Sequence, residues 1–326
     1  MWFRYAFLIP IAGTWAAAAD PNALKMFKPL PQLMESAKNP LTEAKVKLGR
    51  MLFYEPRLST AGDISCNSCH SLDKYGVDGK RFSEGHKKQL GDRNSPTVYN
   101  AAGHHAQFWD GRAADVEEQA KGPVMNPVEM AMPGEKVVLE RLKAIPAYVQ
   151  MFKDAFPAEA QPLTFDNMAK AIAAFERGLV TPARWDKYLK GDKAALSAAE
   201  VAGFEKFVAA GCAACHNGVY VGGTTFQRVG VARPWPNTSD PGRFKVTKKE
   251  NDKMSFKVPS LRNIAKTAPY FHDGSVNALD EAVRRMASHQ TGKKLSEAEI
   301  RSILTWFDSL TGELPTAYIQ KPVLPR

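Results

Sequence analysis

Cys66-Asn67-Ser68-Cys69-His70 constrains this chain more than any other stretch, because its pattern recurs at Cys212-Ala213-Ala214-Cys215-His216. The two runs contain every cysteine of the 326-residue chain. C-x-x-C-H is the attachment signature of a c-type haem. Two thiols three positions apart on one helical turn can form thioethers to the two haem vinyl groups. The adjacent imidazole then lies over the porphyrin and ligates the iron. A zinc site built from four thiolates would not need a histidine after each pair. The sequence therefore describes a protein with two covalent haems, one on Cys66 and Cys69 and one on Cys212 and Cys215, with His70 and His216 as proximal ligands. No thiol is left for a disulfide, so stability must come from packing around the cofactors.

The N-terminus reads as an export signal over residues 1–19: Arg4, an apolar run from Tyr5 to Trp15, and the small residues Ala17-Ala18-Ala19 before Asp20. That run is shorter than the roughly 20 residues of a membrane span, and no later stretch qualifies. Covalent haem attachment in bacteria occurs outside the cytoplasm, so a soluble periplasmic protein without a membrane span is expected. The formal charge is +10. With no phosphate-binding glycine motif and no basic-aromatic reader motif, this charge points to an acidic redox partner rather than to nucleic acid.

Strand signals are few, and the expected class is mostly α. A Pro-rich lead-in precedes helical pattern from Leu41 to about Pro56, and Gly-rich loop follows from Ser71 to Pro96. Thr164 opens a helix with Met168, Ile172, Phe175 and Leu179 at helical spacing. Pro182 interrupts near the expected junction between residues 20–179 and 180–313, with 314–326 packing back on the first unit. Ser197-x-x-Glu200 and Ser296-x-x-Glu299 are capping boxes, and Gly312 is placed to end the last helix. A further helix is expected over Leu279 to Ala287. The chain also repeats internally. Pro96 to Gly111 laid on Pro259 to Gly274 matches at six of sixteen positions without a gap, and each copy lies downstream of one C-x-x-C-H. Duplication of a cytochrome c-like module explains this, giving two such haem domains with long irregular loops.

The sixth ligand decides what each iron does: two strong axial ligands make an electron carrier, and a displaceable one makes a catalyst. His86, in the Gly-rich loop, has the reach to be that ligand or to be an exposed loop residue. For the second haem the candidates are Met254 and Met286, and core packing is the alternative role for each.

The order of motifs resembles the bacterial di-haem cytochrome c peroxidases over essentially the whole mature chain. The resemblance is carried by Cys66–His70, Gly85-His86, Gly91 to Thr97, Gln107 to Arg112, Asn126 to Met130, Cys212–His216, Val258 to Asn263, Tyr270 to Ser275 and Met286. It implies that residues 20–179 hold a low-potential peroxidatic haem, with His70 proximal and His86 a displaceable distal ligand. Residues 180–313 would hold a high-potential, electron-accepting haem on His216 and Met286. It further implies Trp109 between the haems, Gln119 and Glu129 in the peroxide pocket, and one calcium ion on the Asn94 side chain and the Thr267 and Pro269 carbonyls. The implied reaction reduces hydrogen peroxide to water with electrons from a small donor, a cytochrome c or a cupredoxin, in a protein that is usually a homodimer. Two other readings remain: the related di-haem enzyme that oxidises tryptophans during cofactor maturation, in which a Tyr such as Tyr270 would replace the Met ligand, and a non-enzymatic di-haem electron carrier.

Overall fold

The computed structural model describes residues 19–326, so the expected export signal lies outside the described residues except for Ala19. Among the described residues no helix is long and apolar enough to cross a membrane. The chain is mostly helical, and its strands form a two-stranded antiparallel ribbon, Phe226–Arg228 against Ser255–Lys257, with Phe226 opposite Lys257.

Helix Glu43–Phe53 begins where Thr42 accepts a hydrogen bond from the Lys45 amide. It buries Leu48, Leu52 and Phe53 in one core with Met168, Ile172 and Phe175 of helix Phe165–Glu176, which Thr164 caps. Gly49 lies where the two helices cross, and a Cβ there would collide with the Ala171 carbonyl. Helices Val116–Met125, Glu135–Lys143 and Pro146–Ala155 add Val124, Val138, Leu142, Tyr148 and Phe152 to this core. From the C-terminal segment, Tyr318 stacks on Phe175 at a centroid distance of 5.1 Å, and Ile319 enters the same core.

A second core gathers Trp185, Phe204, Phe207 and Trp306. Helices Ala198–Ala209 and Glu297–Ser309 supply three of these, and each is opened by its capping box, Ser197 with Glu200 and Ser296 with Glu299. Phe27 of the lead-in inserts here, edge-on to Trp185 at 5.6 Å and to Phe204 at 5.3 Å. The start of the lead-in, expected with the first half, thus packs on the second core, while Met34 and Asn39 further along bond to Arg177 and to Glu117 and Lys170 of the first half. Helix Leu279–Met286 continues into a π turn, Ala287–Thr291, closed by Gly292.

The sequence repeat is also a repeat of backbone shape. Asn100 and Asn263 have left-handed φ of 61° and 62°, Phe108 and Phe271 of 64° and 71°, and Gly111 and Gly274 of 67° and 53°. Each copy closes the same bridge, Gln107 to Ala113 and Tyr270 to Val276. The two asparagines converge on buried Thr181, donating to its Oγ1 at 2.8 and 2.9 Å. Asn263 Oδ1 also accepts from the Gly312 amide at 2.9 Å. This corrects one expectation: the last helix stops at Ser309, and Gly312 instead packs against Thr181, where a Cβ would clash with the Thr181 carbonyl.

Candidate functional site

Both C-x-x-C-H runs fold as single turns. Ser65 and Ser68 cap the first, and the His70 amide donates to the Cys66 carbonyl at 2.9 Å. In the second, Gly211 takes a left-handed φ of 87° and feeds the turn Cys212–Ala214, and the His216 amide donates to the Cys212 carbonyl at 3.0 Å. All four thiols and both imidazoles line one continuous cavity of about 580 Å³. The Nδ1 atoms of His70 and His216 are buried without a well-formed hydrogen bond. Burial pushes both rings toward the neutral form, His216 to about 4. The carbonyls of Gly76 and Pro96 lie close enough to act on His70, and those of Val221 and Pro259 on His216. Pro96 and Pro259 are equivalent in the repeat, so each copy stands behind one imidazole. Free thiols paired with buried neutral imidazoles on an open cavity are the donor set that covalent haem uses, and the residues fit that group.

The same wall carries Trp109, Arg112, Gln119 and Glu129, and Glu129 lies near enough to Cys66 and Cys69 to act on both thiols. Glu129 is half-buried, and its Oε1 accepts from Asn126 Nδ2 at 2.6 Å. Burial raises its pKa, against the Asn126 bond and the charge of Arg112. Trp109 donates from Nε1 to the Asn94 carbonyl at 2.8 Å and stands edge-on to His272, its repeat equivalent, at 6.4 Å. His272 in turn stacks on Phe256 at 4.0 Å.

The methionine alternatives separate geometrically. Met286 is on the cavity wall, whereas Met254 is off it, buried with Trp235 and Phe256. Tyr270 reaches the wall, but its hydroxyl donates to the Ile264 carbonyl at 3.1 Å. His86 is not brought to the wall. Its amide donates to the Glu129 carbonyl at 2.8 Å, and Gly85 lies so close to Val128 that a Cβ would collide with that carbonyl. The loop is therefore docked on the Asn126–Met130 turn by its backbone. Asn94, Thr267 and Pro269 all line the cavity. The Asn94 amide nitrogen is spent on the Lys80 carbonyl at 3.0 Å, leaving Oδ1 for a hard cation.

Glu176, Lys257 and Arg93 are charged residues of the wall to which the sequence assigns no role. Glu176 lies flush with the apolar stripe of its helix. Burial, then the charge of Glu117, pushes it up to about 8 despite Arg177. Lys257 is buried at the end of the ribbon. Arg93 bridges the two halves, bonded to Asp110 at 2.6 Å and to Asp240 at 2.7 Å. Burial alone would raise Asp240, but its bonds to Arg93 and the Gly242 amide draw it down to about 2, from 3.8. That pair therefore contributes stability fully above pH 4 and loses it as pH falls through about 2. In Asp240→Asn the fall of Tm between pH 4 and pH 2 is expected to flatten relative to the parent, as thermal melts across that range would show.

Residues 43–194 match the family model described as di-haem cytochrome c peroxidase. The cytochrome c551 peroxidase of Pseudomonas aeruginosa is 44% identical over 327 aligned residues, spanning 98% of this chain and 93% of the relative. The protein of the same name from Nitrosomonas europaea is 45% identical over 293 residues, 89% of this chain and 86% of its own. Among solved structures, a MauG-like protein associated with microbial copper homeostasis superposes with a TM-score of 0.80 at 29% identity, covering 90% of this chain and 97% of that one. With both haem anchors on one cavity and identity of this order along nearly its whole length, the chain belongs to the di-haem cytochrome c peroxidase family.

Proposed function

We propose that this protein reduces hydrogen peroxide to two waters, consuming two electrons and two protons, with a small redox protein as donor, a cytochrome c or a cupredoxin. The observation that carries this is an asymmetry of the cavity: both anchors open on it, and Glu129, on which Arg112 acts, lies near enough to both Cys66 and Cys69 to act on their thiols, whereas it does not act on Cys212 or Cys215. Cys66, Cys69 and His70 would hold the peroxidatic haem, and Cys212, Cys215, His216 and Met286 the electron-accepting one. When bound, these groups supply the redox-active iron that peroxide reduction requires. Glu129 takes a proton from one peroxide oxygen and returns it to the other, a role suited to a carboxyl whose burial raises its pKa. Gln119 orients the peroxide by hydrogen bonding, and Trp109 is held rigid between the halves by its bond to Asn94. Asn94, Thr267 and Pro269 would hold calcium through oxygen atoms. We place the protein in the periplasm as a homodimer, with one haem unit over 20–179 plus 314–326 and the other over 180–313.

Peroxide-dependent oxidation of a reduced cytochrome c tests the reading. Sustained turnover is expected, and electron exchange without peroxide consumption would make the protein a carrier instead. The tryptophan-oxidising alternative is disfavoured by Met286 on the wall and by the engaged hydroxyl of Tyr270.

In this proposal His86 would be a displaceable ligand of the first haem, carried by a loop that has to move for the imidazole to reach the cavity. The glycines flanking the loop, Gly85 and Gly91, fit a segment that moves. EPR of the oxidised protein is expected to show a low-spin first haem that turns high-spin when one electron is added. A high-spin signal before reduction would show that the loop needs no trigger.

A further inference from the structure

Lys257 is 7% exposed and lies on the shared cavity wall. Its Nζ donates to the Ala106 carbonyl at 2.9 Å and meets His104 Nδ1 at 3.4 Å. Neither partner carries negative charge. An ammonium has three N–H donors, so one is left for the cavity that the side chain lines. Asp110 acts on Lys257 from a distance, but that carboxylate is already held by Arg93 at 2.6 Å and Arg112 at 3.1 Å. Burial pushes Lys257 down to about 8, so the ammonium is still the main form at neutral pH. A buried charge without an opposite charge is costly. A carboxylate entering the cavity would supply the opposite charge that no side chain bonded to Lys257 provides.

His104 fixes where that anion meets the lysine. Its ring stands edge-on to Tyr220 at 5.2 Å and lies so close to Gly223 that a Cβ there would overlap it. Burial, then the charge of Lys257, keeps the ring neutral. A neutral imidazole accepting at Nδ1 and wedged in this way holds Nζ in one position.

We propose that Lys257 is the receptor for a haem propionate carboxylate, with His104 as its positioning residue, an inference that rests on the two-haem reading above. Propionates are the only carboxylates of haem, and the cavity holds both anchors. Lys257 borders both. It lies two residues before Pro259, whose carbonyl acts on His216, and its amide donates to the Trp109 carbonyl at 2.7 Å in the other copy of the repeat. The propionate therefore belongs to one haem or the other, and the measurement identifies which.

The test uses holoprotein whose two covalent haems are counted by mass, with spectroelectrochemical titration of each haem. Removing a cation beside a propionate favours the oxidised iron. In Lys257→Gln the reduction equilibrium of the haem whose propionate is held is expected to shift about tenfold toward the oxidised form, about 59 mV for one electron. The other haem shifts less. Lys257→Arg, which keeps the charge, is expected to restore the potential. A larger shift at the Met286 haem assigns the propionate to the second haem, and a larger shift at the other assigns it to the first. Unchanged potentials at both haems in Lys257→Gln would overturn the proposal while leaving the haem count, and so the two-haem reading, intact. If the Gln variant does not mature, the propionate bending mode in the resonance Raman spectrum decides. It should differ between the parent and Lys257→Arg, and identical modes would overturn the proposal. A parent protein without two covalent haems would instead remove the reading on which the proposal rests.

Discussion

Glu129→Gln is expected to lower peroxide turnover by about 10²–10⁴-fold, the contribution of a positioned general acid–base. The substitution is nearly isosteric, and the Gln carbonyl can still accept the Asn126 bond that Glu129 Oε1 accepts at 2.6 Å. What is lost is the ionisable carboxyl that can take up a proton and return it. Haem content and both reduction potentials should stay close to the parent, which separates a catalytic defect from a damaged site. The pH profile gives a second readout. Burial raises the Glu129 pKa above its ordinary 4.5, and the carboxylate form is lost as pH falls through that raised value. The acidic limb of turnover should therefore lie, in the parent, at higher pH than an unperturbed glutamate would give, and vanish in the variant. Steady-state oxidation of a reduced cytochrome donor measures both effects. Unchanged turnover would remove Glu129 from the mechanism and leave the family assignment standing.

The parts of this fold legible in the sequence are those set by local chemistry. The two haem anchors are covalent signatures. The helix starts at Thr164, Ser197 and Ser296 are visible because a capping side chain satisfies amides within three residues of itself. Helices Val116–Met125 and Pro146–Ala155 were hidden by their own punctuation, since the first carries Gly122 and Pro123 within it and the second opens on Pro146. Proline marks a first helical turn as readily as a break. What depends on burial by distant segments left no local mark. Spacing alone does not separate Met254 from Met286, and only the family resemblance selects Met286; in the fold Met286 lines the cavity and Met254 packs beneath Trp235. Glu176 and Lys257 look like ordinary surface charges in the sequence, yet both lie buried on the cavity wall. The repeat was legible as six identities, but its physical purpose was not. Only the folded chain brings Asn100 and Asn263 to the same threonine.

The same repeat holds the element that should be most sensitive to a structural substitution. Arg262, 1% exposed, donates to Asp186 Oδ2 at 2.7 Å and to the Val219 carbonyl at 2.7 Å. Asp186 also accepts from the amides of Leu30 at 2.7 Å and Ala183 at 2.8 Å. One carboxylate thus ties together the lead-in, the start of helix Arg184–Leu189 and the segment after His216. Burial pulls Arg262 toward the neutral form, and the Asp186 charge opposes this. Removing one member of such a pair strands the other, at a cost of about 3–5 kcal/mol. Asp186→Ala is therefore expected to lose that much stability in chemical denaturation of the holoprotein. The loss should exceed that of the double variant Asp186→Leu, Arg262→Met, in which no charge is left unpaired. The effect should also reach the second haem. Val219 lies three residues after His216, and Gly222 packs its backbone against Pro259 beside the His216 ring. Without Asp186, Arg262 loses the carboxylate that fixes it against the Val219 carbonyl, which loosens the wall behind that imidazole. The absorption spectrum of the second haem should broaden in Asp186→Ala while Glu129 and the first pocket remain as they were. A loss of stability with an unaltered second-haem spectrum would mean that Arg262 supports the core alone and not the ligand.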